Sequence, residues 1–311
     1  MDERLKVRTA EMLATLCRWY VRYAPGDLGK AYAVERYLNP WLREHARQRV
    51  VRTRFGARFA VDTQDLIQRY IYMFGVWEPH LTHWLRRRLR PGDAFIDVGA
   101  NVGYDSILAS RLVGAAGAVV SVEASPEFHR RVQQQVRLNR AGNVRTVNAA
   151  VSDKQQLLTF ALASSHNMGA NSMVPYEGPV ESSFEIEAFP LPDLLTSAEL
   201  SNARVIKVDV EGAEGAVIRG LASALDQLRP DVEIAIEVTP ERMAKLGDSI
   251  EELIETMQQA DFHPYRITND YAVRSYPSAV RSAPGVPVRW RLPLTGENDL
   301  IFSHTDAETL P

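Results

Sequence analysis

From residue 91 onward, short apolar runs of strand length alternate with amphipathic helix patterns, and this alternation constrains the fold more than any other feature. Apolar runs bounded by glycine or polar residues are typical of strands buried on both faces of a parallel sheet. Between them lie stripes at helical spacing, such as Phe128, Val132 and Val136. The pattern predicts an α/β domain, with a mainly parallel sheet and helices on both faces. The predicted strands cover residues 94–99, 118–124, 144–151, 204–210, 233–238, about 262–267 and about 299–304.

The first 90 residues do not follow this alternation. The pattern of residues 1–48 predicts a helical extension that is interrupted at Pro25-Gly26. For residues 49–90 it predicts a hairpin around Gly56 followed by two helices. The α/β domain is expected to fill residues 91–311.

Charge is distributed unevenly between these parts. Residues 1–90 hold 18 Lys and Arg against 9 Asp and Glu, whereas the rest of the chain holds 18 against 30. A basic segment can attract nucleic acid, anionic lipid or an acidic substrate, or it can dock on an acidic domain of its own chain. The run Arg86-Arg87-Arg88 is expected to form a solvated helix face.

Composition excludes several classes of protein. Cys17 is the only cysteine, so an intramolecular disulfide and a cysteine-rich metal site are both excluded. No stretch is long and apolar enough for a transmembrane segment, and the charged N-terminus does not match a signal peptide. We therefore expect a cytoplasmic enzyme with no DNA partner.

The first predicted strand runs into a glycine turn, Asp97-Val98-Gly99-Ala100-Asn101-Val102-Gly103. Gly99 and Gly103 allow the backbone to turn tightly and to approach a ligand. The turn does not fit the dinucleotide fingerprint G-x-G-x-x-G, because Asn101 and Tyr104 stand where the later glycines would be. An acid before the glycines would repel a pyrophosphate, but it suits S-adenosylmethionine, which carries an ammonium and a sulfonium. We expect Asp97, Gly99, Ala100, Asn101 and Gly103 to bind this cofactor.

Acidic and small residues follow the next two strands. Glu123 and Ala124 lie 24 and 25 residues beyond Gly99, and a carboxylate there can accept hydrogen bonds from both ribose hydroxyls. Ser152 or Asp153, after the third strand, is expected to receive the adenine amine. The alternative for that pair is an ordinary turn.

Taken together, these motifs resemble the FkbM family of methyltransferases, and the resemblance runs from about residue 50 to about residue 304. It rests on six segments, of which the last, with its K-x-D-x-E-G-x-E pattern, is the most distinctive. The resemblance implies a Rossmann-like class I methyltransferase fold with a seven-stranded sheet. It also implies O-methylation of polyketide (secondary-metabolite) or sugar hydroxyls. The segments are Val76-Trp77-Glu78-Pro79, FIDVGANVGYDS (95–106), VVSVEASPE (119–127), NAAVSD (148–153), Asn167 to Ser172 and IKVDVEGAEGAVIRG (206–220).

Catalysis of O-methylation needs a base or a metal near the acceptor, because an aliphatic hydroxyl is a poor nucleophile. Asp209 and Glu211, at the end of the fourth strand, are expected to be catalytic residues that support the methionine end of the cofactor or the acceptor hydroxyl. Asp209 is also expected to bind the cofactor. His166 is the candidate histidine base. Glu78 is expected to reach the ammonium group of the cofactor.

Several neighbouring residues have alternative interpretations. Glu214 fits either a site residue or a first-turn acid favoured by the helix dipole. Lys207 points to the same side of its strand as Asp209, so it fits either an internal ion pair or a catalytic role. Asp209 and Glu237 resemble a paired-acid site for a divalent metal, which is possible but not favoured, because a cationic cofactor already explains acids at strand ends.

The expected partners are the cofactor and a small-molecule or glycan acceptor, with a homodimer possible. Tyr271, Tyr276 and Trp290 suggest either an acceptor pocket or a dimer contact. The alternatives are N- or C-methylation, including methylation of RNA, and a methyltransferase fold kept as a non-catalytic binding module.

Overall fold

The computed structural model describes residues 3–162, 171–172, 182–282, 285–291 and 293–310. Within these ranges, no helix is both long and apolar enough to cross a membrane.

The N-terminal region is helical, as the sequence predicts. Its elements are α1 (Glu3–Tyr23), α2 (Lys30–Ala33), a π-helical turn (Val34–Leu38) and α3 (Asn39–Glu44). The predicted interruption at Pro25-Gly26 separates α1 from α2, and Gly26 has a φ of 70°. This left-handed conformation suits glycine and ends the helix.

The hairpin and the two helices after it also match the sequence prediction. The hairpin consists of β1 (Gln48–Arg52) and β2 (Arg58–Asp62), followed by α4 (Leu66–Phe74) and α5 (Pro79–Arg88). The prediction of a solvated face at Arg86-Arg87-Arg88 is wrong for Arg88. That side chain is 9% exposed, and its Nε donates to Glu233 at 2.5 Å, because the last turn of α5 packs against the sheet.

The first half of the α/β unit contains β3 (Ala94–Val98), α6 (Tyr104–Val113), β4 (Ala118–Val122), α7 (Pro126–Asn139) and β5 (Val144–Val147). The N-cap predicted at Ser125 is present, since its side chain accepts from Phe128 N at the start of α7.

A smaller second sheet interrupts the alternation, and the sequence did not predict it. It is formed by β6 (Ala150–Val151), β7 (Gln156–Leu162), β8 (Asn171–Ser172) and β9 (Ser182–Phe189), in the order β6-β9-β7-β8. The single strand predicted over 144–151 is therefore wrong. The chain leaves the main sheet after Val147 and joins the second sheet at Ala150, where β6 pairs with β9.

The second half contains α8 (Ser197–Ser201), β10 (Ala203–Val208), α9 (Glu214–Ala222), β11 (Glu233–Val238), α10 (Pro240–Lys245) and α11 (Ile250–Gln259). The chain then forms β12 (His263–Ile267), α12 (Tyr276–Ala279), β13 (Val288–Arg289) and β14 (Asn298–Ser303).

The main sheet has the strand order β13-β12-β14-β11-β10-β3-β4-β5. It has eight strands rather than the expected seven, because the two-residue β13 adds an edge. The central pairings are parallel, namely β3 with β4, β3 with β10, β4 with β5 and β10 with β11. Strand β14 is antiparallel to both β11 and β12. The strand order changes direction between β3 and β10, which makes this the topological switch point.

Candidate active site

A cavity of about 320 Å³ lies at the carboxyl ends of β3, β4, β10 and β11. This is the edge of the sheet, next to its switch point, at which open α/β sheets bind ligands. Residues from all four strand ends line it, as do residues from α4, β6, β7 and the segment that precedes β14.

The glycine turn forms one wall of the cavity. Gly99 has a φ of 82°, and a Cβ atom built on it would lie 1.7 Å from the backbone oxygen of Asp209. Only glycine fits here, because any side chain would collide with the end of β10. Gly99 and Asn101 line the cavity, whereas Asp97, Ala100 and Gly103 are not among its lining residues.

Glu123 is fixed where β4 ends. Its Oε2 accepts a hydrogen bond from Asn101 N at 2.7 Å, and its Oε1 accepts one from Ser125 N at 2.8 Å. Each carboxylate oxygen can accept a further bond from the cavity, which suits a pair of neighbouring hydroxyls. Burial raises the pKa of Glu123 to about 7, although both backbone donors favour its charged form.

Glu78 is a buried acid with strained backbone, at a φ of 41° immediately before α5. Its Oε1 accepts a hydrogen bond from the Tyr271 hydroxyl at 2.8 Å. Its Oε2 is buried without a hydrogen-bond partner in the described part of the chain. Burial raises the pKa of Glu78 well above its ordinary value. An orphaned carboxylate oxygen at a cavity wall is expensive unless a ligand donates to it or it carries a proton.

The buried Lys207 forms ion pairs with carboxylates next to the cavity. The Nζ of Lys207 lies 3.0 Å from Asp209 Oδ2 and 3.4 Å from Asp105 Oδ2. Asp97 is fully buried near the same lysine and accepts a hydrogen bond from Ser106 Oγ. Burial raises the pKa of Asp97 to about 6, and Lys207 opposes this shift. Of the two interpretations of Lys207, the internal ion pair matches the structure.

The three acids of the distinctive motif lie in the turn after β10 and at the start of α9. Asp209 immediately follows β10 instead of ending it, and both Asp209 and Glu211 line the cavity. Glu211 forms an ion pair with Arg242 at the start of α10. Glu214 is the first residue of α9 and accepts a hydrogen bond from Gly212 N at 2.9 Å, which matches its interpretation as a first-turn acid.

Glu237, near the end of β11, completes the acidic wall. Its Oε2 lies 3.1 Å from the same Tyr271 hydroxyl that contacts Glu78. A tyrosine hydroxyl has one proton to donate, so the two contacts are satisfied together only if one of the glutamates is protonated. Burial raises the pKa of Glu237 well above its ordinary value, and the nearby Asp209 raises it further.

Two predicted positions fall elsewhere. Ser152 is buried, and Asp153 lies 3.6 Å from Arg219 Nε. Neither is among the cavity's lining residues, which at this point are Ala149, Ala150 and Val151. The chain turns into the second sheet here, and this bend presents backbone and small side chains instead. His166 lies outside the described residues.

The structure also brings residues to the cavity that sequence reasoning missed. Asp65, Leu66 and Ile67 come from the start of α4, Phe160 from β7 and Glu297 from the segment preceding β14. Only Asp65 has a signal in the sequence, since an acid before a helical pattern is a typical N-cap, and its side chain does cap α4. The positions of the others depend on long-range packing.

The lining is strongly acidic. Seven acidic residues line the cavity, and among the described lining residues Arg242 is the only lysine or arginine. Such a wall favours a cationic ligand. The described residues contain no cluster of three or more histidine, cysteine or acidic groups arranged to hold a metal. The seven acidic residues that line the cavity are Asp65, Glu78, Glu123, Asp209, Glu211, Glu237 and Glu297.

The strand order and the strand-end site define a class I methyltransferase fold. The family model described as "Methyltransferase FkbM domain" matches residues 97–264, more than half of the chain. The chain therefore belongs to the FkbM methyltransferase family, as the sequence motifs indicated.

Among characterised proteins, the chain is similar to the hexuronic acid methyltransferase AglP of Haloferax volcanii. The two are 27% identical over 194 residues, which is 62% of this chain and 76% of that protein.

Two solved structures are also similar. One is the methyltransferase FkbM of Methylobacillus flagellatus (15% identity, TM-score 0.41), where the match covers 76% of this chain and about half, 52%, of that one. The other is the fibrillarin of Aeropyrum pernix, solved with natively bound S-adenosyl-L-methionine (12% identity, TM-score 0.41, 82% of each chain).

Proposed function

We propose that this protein transfers a methyl group from S-adenosylmethionine to a hydroxyl oxygen of a saccharide or similar polyol. The observation that carries the proposal is the cavity at the switch point, whose described lining contains seven acidic residues and one arginine. The cofactor supplies an activated methyl group on a cationic sulfur.

The residues present fit this cofactor. Glu123 offers two fixed oxygens for the ribose hydroxyls, and the unpartnered Oε2 of Glu78 suits an ammonium donor. Gly99 lines the same cavity without a side chain, so the backbone can approach the cofactor closely. Asp209, held by Lys207, adds negative charge where a cationic sulfur is favoured.

An acceptor site is best placed over β10 and β11, on the side of the cavity away from Glu123. Glu211, Glu237 and Glu297 line that side, and their oxygens can accept hydrogen bonds from sugar hydroxyls. The name of the similar AglP protein, a hexuronic acid methyltransferase, supports a carbohydrate acceptor.

Among these acids, Glu237 is the best candidate for the general base. Asp209 is paired with Lys207 and Glu211 with Arg242, so a cationic side chain already engages each of these carboxylates. Glu237 contacts the neutral Tyr271 hydroxyl instead. Burial raises the pKa of Glu237, and a raised pKa suits proton abstraction near neutral pH.

The cofactor assignment is tested by calorimetric titration with S-adenosylmethionine. Glu123→Ala should weaken binding by about tenfold to a hundredfold, because two hydrogen bonds to a charged acceptor are lost. Glu127→Ala is the matched control, since this acid lies on the exposed side of α7 and pairs with Arg131. Equal affinity of wild type and Glu123→Ala would refute the assignment.

The acceptor assignment needs a separate measurement. The enzyme is incubated with methyl-labelled cofactor and a panel of neutral and uronic saccharides, and the products are then treated with mild alkali. A methyl ether on a hydroxyl survives, whereas a methyl ester on a carboxylate is hydrolysed. Label lost under alkali, or found only on amines, would reject the hydroxyl as acceptor.

A further inference from the structure

The outward face of α1 is apolar. Met12, Leu13, Leu16, Trp19 and Tyr23 are each 56–59% exposed. Positions 12, 16, 19 and 23 are spaced by three and four residues, so their side chains form one stripe along the helix. A helix that packs on a domain normally turns its apolar face inward. In this protein, α1 also presents one to solvent.

The orientation of α1 is fixed by contacts on its other side. Arg18 Nε donates to the backbone oxygen of Tyr72 at 2.8 Å, and Arg22 Nη1 donates to the same oxygen at 3.3 Å. Ala14 and Val21 are buried on this inner side. The exposed stripe therefore faces away from α4, on which α1 packs.

The apolar surface continues beyond α1. Leu28 is 89% exposed, and the Tyr20 hydroxyl donates to its backbone oxygen, which places the two residues side by side. Tyr32 and Tyr37 are exposed and pack edge to face, with ring centroids 5.7 Å apart. Of the twelve large hydrophobic side chains exposed in the described ranges, eight lie between residues 12 and 37. Exposed apolar residues concentrated in this way mark an interaction surface.

An arginine-rich segment borders this surface. Residues 45–61 contain five arginines and no acid. Arg47 donates to Glu11 O and to Thr15 Oγ1, each at 3.3 Å, and Arg54 donates to Arg22 O at 3.2 Å. These contacts hold the segment along α1. Four of its arginines are exposed, namely Arg49, Arg52, Arg54 and Arg58.

We propose that the apolar face of α1 and the arginine-rich segment together form a peripheral docking surface for an anionic lipid bilayer. In this arrangement α1 lies in the plane of the interface. Leucine and methionine enter the acyl boundary, tryptophan and tyrosine lie at the headgroup level, and the exposed Arg49, Arg52 and Arg58 meet lipid phosphates.

A second copy of the chain is a poorer occupant of this surface. A twofold dimer through α1 would bury the apolar stripe against a copy that carries the same arginine-rich flank, so the partner surface is not anionic as a whole. An anionic bilayer complements both the apolar stripe and the positive charge beside it.

The test is co-sedimentation of the full chain with vesicles, in the absence of cofactor and acceptor. Vesicles of phosphatidylcholine alone are compared with vesicles in which about a third of the lipid is phosphatidylserine, at low and high salt. The variant Leu16→Glu/Trp19→Glu places two charges on the stripe. Leu157→Glu is the matched control, because Leu157 is 61% exposed on β7.

We expect the wild type and Leu157→Glu to bind the anionic vesicles and to be released by high salt. The double variant should bind at least about tenfold more weakly, because two apolar side chains no longer enter the lipid. The wild-type comparison of lipid mixtures does not depend on how well any variant folds.

Three results would overturn the proposal. The first is failure of the wild type to bind anionic vesicles, and the second is equal binding of the wild type to both lipid mixtures. The third is a wild-type protein that is dimeric in solution and does not bind vesicles, together with a double variant that is monomeric. Since no methyl donor is present, each result is independent of the proposed methyl transfer.

Discussion

The ammonium group of Lys207 lies 3.0 Å from Oδ2 of Asp209, and the lysine side chain is only 10% exposed. The same ammonium lies 3.4 Å from Asp105. The surrounding carboxylates hold the pKa of Lys207 well above its ordinary value, in spite of its burial. Lys207 therefore stays charged and compensates several acids beneath the cavity.

Replacement of this lysine by methionine should destabilise the protein by about 3 kcal/mol, because buried carboxylates lose their counter-charge. Protonation can remove the uncompensated charge, so the loss in the free energy of unfolding should be smaller at pH 5 than at pH 8. Urea unfolding of wild type and Lys207→Met at both pH values measures this difference. A loss that does not change with pH would contradict the compensating role.

A comparison of Gly99→Ala with Gly92→Ala distinguishes the cost of a steric collision from the cost of backbone strain alone. Both glycines have positive φ values, 82° and 94°. A Cβ on Gly99 would meet Asp209 O at 1.7 Å, whereas a Cβ on Gly92 meets nothing within 4 Å. We expect Gly92→Ala to cost about 1–2 kcal/mol in stability from strain alone. Gly99→Ala should cost clearly more and should abolish cofactor binding, as thermal unfolding and calorimetry would show. Similar losses for both variants would refute the close approach.

Much of this architecture follows from short-range sequence signals. The glycine turn, Glu123 and the acids after β10 all stand directly after apolar strand runs, and the ends of parallel strands meet at one edge of a sheet. Local pattern is sufficient to place such residues together.

The features that the sequence did not predict depend on contacts between distant segments. The chain leaves the main sheet after Val147 because Ala150 pairs with Ala188 of β9, nearly forty residues away. The buried Arg88 forms an ion pair with Glu233, and the Tyr271 hydroxyl donates a hydrogen bond to Glu78, which lies almost two hundred residues earlier in the chain. The domain division at residues 48 and 90, the cytoplasmic location and a homodimer stay predictions.

The acidic cavity gives cofactor binding a definite pH dependence. Burial raises the pKa of both Glu123 and Glu211, which line the cavity, to about 7. In their protonated form these acids contribute to the stability of the folded protein. This contribution is complete below the unfolded-state pKa of about 4, and it is lost as the pH rises through the folded-state pKa of about 7. A cationic ligand favours the ionised acids instead. The affinity for S-adenosylmethionine should therefore increase from pH 5 to pH 8.

Calorimetry across this range measures the effect, with S-adenosylhomocysteine as the control ligand. Its sulfur carries no charge, so its affinity should depend less steeply on pH. Identical pH profiles for the two ligands would show that the acids do not respond to the sulfonium.

The shared hydroxyl of Tyr271 distinguishes a base at Glu237 from a merely structural acid. Tyr271→Phe keeps the ring but removes the hydroxyl oxygen that lies 2.8 Å from Glu78 Oε1 and 3.1 Å from Glu237 Oε2. If Glu237 takes the acceptor proton, Glu237→Gln should lower kcat by about 10²–10⁴-fold with little change in cofactor affinity. Tyr271→Phe should keep most of the activity but displace the acidic limb of the pH profile of kcat, since it alters the partner of the base. A structural role predicts a different pattern, in which both variants lose stability and the remaining activity keeps the wild-type pH profile.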